Sequence, residues 1–277
     1  FLWGRGGTGT IGEPRGPVRF VMSPPPQAPH IGAFRASPDG RLLAFQAWGS
    51  ESSLWLRGLD DTEARPVPGT EGAGGLAWSP DSRRLAFTVD RLIKTIDLAG
   101  GGPATVAEAG DPLLGDWSPE GAILYTDVGR GAALYRVPAA GGEAVRVSQP
   151  PPGVTHVWPT FLPGGRTFLY GGWENGATVH VGSLDGAPSR PLFSASSQPV
   201  YTASGHVPCA KGRSLVAQAL DGANLRLGEA PFPLAEDVWF DGTWGSADCS
   251  ASRRLLAYRP QPAADRDLPR ERLDGRA

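Results

Sequence analysis

A short string returns several times along this chain. Ser37-Pro38-Asp39-Gly40-Arg41-Leu42-Leu43-Ala44-Phe45 is followed by Ser79-Pro80-Asp81-Ser82-Arg83-Arg84-Leu85-Ala86-Phe87 and, one residue shorter, by Ser118-Pro119-Glu120-Gly121-Ala122-Ile123-Leu124-Tyr125. A fourth copy is Leu162-Pro163-Gly164-Gly165-Arg166-Thr167-Phe168-Leu169-Tyr170, and two looser copies are Gly205 to Cys209 and Ser250 to Tyr258. The closing residues are Phe45, Phe87, Tyr125, Tyr170, Cys209 and Tyr258, at spacings of 42, 38, 45, 39 and 49 residues. A unit of that length cannot bury an apolar face alone, so it must stack against its neighbours.

Each unit reads as strands. In Ser-Pro-Asp-Gly, Pro presets φ, Asp bonds nearby backbone N–H groups and Gly accepts positive φ, which makes a tight turn. Leu54-Trp55-Leu56-Arg57-Gly58-Leu59, Leu92 to Ile96, Leu134 to Val137, Val179 to Val181 and Leu215 to Leu220 follow as third strands, rich in β-formers. Ala64 to Val67 and Ala144 to Val147 read as outer strands, where Pro66 is tolerable at an edge. Gly and Pro together make up about a quarter of the chain, against a helical protein. The reading is all-β: a β-propeller of about six four-stranded blades starting near residues 31, 74, 113, 156, 199 and 239. Trp78, Trp117 and Phe161 hold the position before the turn and are expected between blades. The sixth unit has two strands before Pro260, so the last blade is either incomplete or closed by an N-terminal strand at Val18-Arg19-Phe20-Val21-Met22. Residues 1–17 read as a flexible linker, and 261–277, charged and without aromatics, as a disordered or loosely attached tail.

Several function classes fail on residues. With 26 basic and 28 acidic side chains the formal charge is −2, and no basic block offers nucleic acid a footprint. No run approaches the ~18 apolar residues of a membrane span. The lysines Lys94 and Lys211 follow Ile93 and Ala210, so no phosphate-binding loop exists. Gly4-Arg5-Gly6-Gly7-Thr8-Gly9 has dinucleotide-loop spacing but neither strand before it nor helix after it. No G-x-S-x-G elbow, His-Arg-Asp loop or Asp-Phe-Gly motif is present, and Gly182-Ser183-Leu184-Asp185-Gly186 fits the turn after a strand. His30, His156, His180 and His206 are scattered, without metal-ligand spacing. Neither metal nor cofactor is expected. Cys209 takes the place of a closing aromatic, and Cys249 is read as the residue before the turn serine Ser250. Both are expected as buried thiols, and a disulfide between these neighbouring units stays open.

The chain resembles the TolB-like, WD-repeat-like β-propellers, especially those that follow a kinase domain and a membrane helix in bacterial serine/threonine protein kinases. The stretches carrying the resemblance are Ser37 to Phe45, Leu54 to Asp60 with Ala64 to Gly72, Tyr135 to Glu143, and Trp158-Pro159-Thr160-Phe161-Leu162-Pro163-Gly164-Gly165-Arg166. The resemblance as a whole extends over roughly residues 18 to 260. The resemblance implies an extracytoplasmic, non-catalytic sensor or scaffold, with a linked kinase and membrane helix upstream and Phe1-Leu2-Trp3 as the exit end of that helix. Alternative readings are the gating propeller of a serine peptidase lacking its hydrolase domain, or a stand-alone TolB-like periplasmic interaction protein. Propellers bind at the channel mouth, and Arg35, Asp116, His156 and Trp158, near the start of first strands, are the candidates to meet a protein, peptide or small polar ligand there. For each, solvation or blade packing is the competing use.

Overall fold

The structure, a computed structural model, describes residues 21–174, 177–241, 246–252 and 255–261. The expected linker at 1–17, the strand residues Val18 to Phe20 and the tail from 262 onward lie outside the described residues.

Four consecutive antiparallel sheets have the same plan, each an innermost strand followed outward in chain order. The first is β1 (His30–Ala36), β2 (Leu42–Trp48), β3 (Ser52–Gly58) and β4 (Arg65–Pro66). The second is β5 (Ala73–Trp78), β6 (Arg84–Val89), β7 (Leu92–Asp97) and β8 (Ala104–Glu108). Next come β9 (Pro112–Trp117), β10 (Ala122–Asp127), β11 (Ala133–Pro138) and β12 (Val145–Arg146). The fourth is β13 (Thr155–Phe161), β14 (Thr167–Trp173), β15 (Ala177–Ser183) and β16 (Arg190–Ala195). The fifth is less regular. Residues 196–202 take the innermost place beside β17 (His206–Lys211), through Ser196 N–H to the Ala210 carbonyl (2.9 Å) and Thr202 N–H to the His206 carbonyl (2.9 Å). β18 (Ser214–Asp221) is followed by two short strands, β19 (Arg226–Leu227) and β20 (Phe232–Ala235), which share its outer edge. The protein is thus a β-propeller with five four-stranded blades and an incomplete sixth.

The sixth unit consists of two hairpins, β21 (Phe240–Asp241) with β22 (Ser246–Ala247) and β23 (Cys249–Ala251) with β24 (Leu256–Tyr258). Its turn residue is Ser252, whose N–H donates to the Leu255 carbonyl, and not Ser250. The alignment of Cys249 with the pre-turn position is therefore corrected by two residues. Ala251 holds that place, and Cys249 pairs with Tyr258 as Phe34 pairs with Phe45. Val21 and Met22, the described end of the expected N-terminal strand, belong to no strand. Val21 is exposed, while Met22 packs against the first blade.

Turn chemistry is shared around the ring. The N–H groups of Gly40, Ser82, Gly121, Gly165 and Gly205 donate to the carbonyls of Ser37, Ser79, Ser118, Leu162 and Thr202. Ser82 adopts φ of +60°, where its counterpart Gly40 sits at +71°. Its hydroxyl accepts the Asp39 N–H at 3.1 Å, a bond from the second turn back to the first that glycine cannot make.

Among the described residues six apolar clusters fill the six contacts between adjacent blades. Leu54 and Leu56 of the first blade meet Leu76, Trp78 and Phe87 of the second. Ile93 and Ala86 then meet Trp117, Ile123 and Tyr125. The series continues through Leu134 against Phe168, Val179 against Val207, and Leu215 against Cys249. It returns to its start where Phe34, Phe45 and Trp55 meet Leu255 and Ala257 of the sixth unit. Trp78, Trp117 and Phe161 are all buried in these contacts. Burying one such aromatic side chain contributes about 2–3 kcal/mol, so the series is the main force holding the ring.

The seam between sixth and first blades uses the same polar device as an interior contact. Asp116, two residues before its turn serine, accepts the N–H of Phe161, the residue before the turn of the next blade, at 2.8 Å. Ser250, two residues before Ser252, accepts the N–H of Ala36, the residue before Ser37, at 2.9 Å. Arg259 strengthens that seam. Its guanidinium pairs with Asp248 at 3.1 Å, donates to the carbonyls of Ile31 and Gly32 at 2.8 and 2.9 Å, and lies 5.6 Å from the Trp239 ring centroid.

Candidate functional site

The innermost strands are irregular at one level. Pairing of the first and second strands shifts register between Ile31 and Phe34, between Ala73 and Leu76, next to Leu114, and between Val157 and Thr160. A β-bulge re-aims the side chains that follow it. Those are the side chains around a cavity of about 370 Å³, walled by the ends of the innermost strands and by the turns that follow them. All six units contribute, from Arg35 to Pro38 in the first to Ser250 to Ser252 in the sixth, so the cavity lies on the ring axis. Its volume is in the range of roughly 300–1,000 Å³ usual for small-molecule sites.

The wall is mostly apolar. Trp78, Trp117, Trp158 and Tyr201 supply aromatic faces, and a proline follows the turn residue at Pro38, Pro80, Pro119 and Pro163. Two charged side chains interrupt it, Arg35 and Asp116.

Asp116 is fully engaged. Oδ2 accepts the Phe161 N–H at 2.8 Å and the Thr160 hydroxyl at 3.2 Å, and Oδ1 accepts the Trp117 N–H at 2.8 Å. Burial pushes its carboxyl upward in pKa; these donors and Arg35 offset part of the rise. Arg35 differs. Its guanidinium donates to the carbonyl of its neighbour Phe34 at 3.0 Å and forms no ion pair among the described residues. Burial lowers its pKa, while Cys249, Asp248 and Asp116 act in the opposite sense. Its carbonyl accepts the Trp78 indole N–H at 3.0 Å, which ties the first and second blades and fixes this stretch.

Trp158 lines the same cavity from the bulge of β13, with φ of +56° in the left-handed region. Such a conformation in a large side chain is strained by about 1–3 kcal/mol and persists only where surroundings enforce it. The following Pro159 packs where a side chain on Gly115 would stand, so that only glycine fits there.

His156 does not line this cavity. It is second in β13, near the opposite end of the strand from Asp116 and Arg35 in theirs. Its Nδ1 is 2.9 Å from Ser148 Oγ, and its ring packs on Tyr170 at 4.8 Å and near His180 at 6.3 Å. Burial first, then His180 and Arg146, bring its pKa down to about 4, so the ring is neutral at pH 7. Two axial residues carried no motif. Gln198 spans to the sixth unit, where its amide donates to the Ala247 carbonyl (2.5 Å) and accepts the Ala247 N–H (2.7 Å). Ser250 stands on the cavity wall because the turn is held by Ser252, two residues further on.

Cys209 and Cys249 are buried free thiols, with pKa values pushed up by burial to about 11 and about 12. No group of three or more metal-ligating side chains occurs among the described residues. No helix among them is long and apolar enough to cross a membrane.

No family model matches the chain, and no curated protein matches it. Solved structures do. A protein assigned as TolB from Agrobacterium tumefaciens superimposes with a TM-score of 0.64 at 17% identity, over 83% of this chain and 91% of that one. TolB from Acinetobacter baumannii gives 0.60 at 16% identity, over 84% of this chain and 58% of that longer protein. An oligogalacturonate lyase in complex with manganese gives 0.53 at 14% identity, over 84% and 77%. The fold is thus a TolB-like β-propeller. At these identities the likeness extends to the fold alone.

Proposed function

We propose that this chain is a non-catalytic binding propeller whose ligand seats in the axial cavity against Arg35, Asp116 and Trp158. The observation that carries the reading is the cavity itself, where bulged innermost strands of several blades converge on an apolar wall with one unpaired cation. A catalytic reading needs a proton donor or nucleophile with a free lone pair. Both oxygens of Asp116 already accept backbone or hydroxyl donors that hold it in place, and both cysteine thiols stay protonated at neutral pH. The resemblance to kinase-linked propellers supports an extracytoplasmic sensor role with the kinase and membrane helix upstream; likeness to TolB supports a periplasmic setting.

Trp158→Gly tests the site. Glycine accepts the positive φ without strain, so the fold is expected to stay intact while one aromatic wall is lost. A peptide or solute that quenches the wild-type tryptophan fluorescence on binding is expected to bind the variant at least several-fold more weakly. A ligand whose affinity is unchanged binds elsewhere and overturns the placement.

A further inference from the structure

We infer that the axial cavity selects a ligand bearing a single carboxylate, and that Arg35 is the group that reads it. This rests on the binding role proposed for the cavity and names the chemistry of what it binds.

Arg35 is an anomaly on physical grounds. A guanidinium carries five N–H donors in a planar fork and is seldom left inside a protein without a carboxylate partner. Arg35 is half-buried on the cavity wall, where one donor reaches the neighbouring Phe34 carbonyl and no ion pair is made among the described residues. The nearest acidic groups are committed elsewhere. Asp116 is held by Phe161, Thr160 and Trp117, and Asp248 is paired with Arg259. A planar fork facing an apolar cavity complements a planar carboxylate, which it binds through two parallel hydrogen bonds that strengthen away from bulk water.

The local charge balance favours one negative charge over two. Arg35 and Arg259 are offset by Asp116 and Asp248, which already attract Arg35 at a distance. A monoanion restores full pairing to Arg35. A dianion such as phosphate adds a second charge facing the Asp116 carboxylate on the same wall, with no other cation among the residues lining it. The aromatic and proline lining suits an apolar body behind the carboxylate. Free small acids and the C-terminus of a peptide share this chemistry.

The test uses the full 277-residue chain. Acetyl-phenylalanine, its amide, acetyl-Ala-Ala-Phe as free acid and inorganic phosphate are titrated by calorimetry and by tryptophan fluorescence excited beyond phenylalanine absorption. The acids are expected to bind about ten-fold or more tightly than the amide, the scale of a charge-assisted hydrogen-bonded pair, and phosphate not to bind. Arg35→Gln is expected to abolish the preference by bringing the acids down to the level of the amide. Arg35→Lys, which keeps the charge but loses the fork, is expected to restore part of it. Circular dichroism checks that both variants fold. A tripeptide acid tighter than acetyl-phenylalanine identifies peptide C-termini as the source; the reverse order identifies small acids. Equal affinity for acid and amide, or an acid preference that survives Arg35→Gln, overturns the carboxylate assignment and leaves the cavity as the binding site. Binding by none of the probes, together with no effect of Trp158→Gly on any ligand found, overturns both.

Discussion

Tyr125 is fully buried, yet its hydroxyl has no hydrogen-bond partner among the described residues. Burial holds its phenol neutral, with pKa pushed up to about 12, so no ionised form relieves the defect at ordinary pH. An unsatisfied buried hydroxyl costs about 1–3 kcal/mol of desolvation. Tyr125→Phe removes that cost and leaves a void on the order of one water-sized probe, roughly 10–15 Å³. At about 24 cal/mol per Å³ the void costs about 0.3 kcal/mol. The stacking on Tyr135, at 5.8 Å between centroids, remains available to phenylalanine. Phe45 and Phe87 already occupy the equivalent place in the first two blades. The net expectation is stabilisation by about 1 kcal/mol, read as a higher urea midpoint at unchanged slope and a melting temperature raised by about 2 °C. Tyr170→Phe is the control. It holds the same place in the fourth blade, but its hydroxyl bonds Ser189, and its loss is expected to destabilise by about 1 kcal/mol. If Tyr125→Phe destabilises by more than about 0.5 kcal/mol, the hydroxyl has a partner and the reasoning fails.

Arg259→Ala removes the ion pair to Asp248 and both carbonyl bonds across the seam, and is expected to cost about 2 kcal/mol in urea titrations; an unchanged midpoint would show the seam to rest on apolar contact alone. His156 is neutral when folded, with its pKa depressed from 6.5 to about 4, so the unfolded chain takes up its proton first. Its contribution is fully present above pH 6.5 and is lost as pH falls toward about 4; His156→Gln should flatten that limb of the stability profile, and an identical limb would contradict the assignment. Both thiols, raised to about 11 and about 12, should resist a thiol reagent at pH 8 in the native protein and react, two per chain, in guanidinium. Fast labelling of the native chain would refute their burial.

The blade plan was legible because its determinants are local. Turn chemistry and alternating strand residues are read within ten positions, as at Ser37 to Phe45. The sixth copy was misread by two residues because Ser250 and Ser252 both offer a serine, and only backbone pairing tells them apart. The innermost run at 196–202 gave no alternation because Gln198 spends its amide on Ala247, 49 residues away. In the site, Arg35, Asp116 and Trp158 could be singled out as polar or aromatic positions expected near the start of first strands, whereas Arg35 and Asp116 lie near the other end of theirs, beside the turns. That both oxygens of Asp116 are bonded while Arg35 makes no ion pair among the described residues depends on Phe161, 45 residues beyond Asp116, and on ring geometry that no local pattern encodes. His156 sits at the other end of its strand because it stands six positions before the turn residue Leu162, where Arg35 and Asp116 stand two before Ser37 and Ser118.

Asp116 binds Phe161 by the same bond that Ser250 makes to Ala36, although one joint lies between consecutive units and the other joins the sixth unit to the first. Joints built alike are interchangeable. Chain connectivity then fixes only the order in which the sheets are strung, and the break between last and first can be moved. A circular permutant that links the end of the sixth unit to the first and opens the loop between the third and fourth would keep every sheet and every joint, exchanging a covalent crossing at one place for a non-covalent one at another.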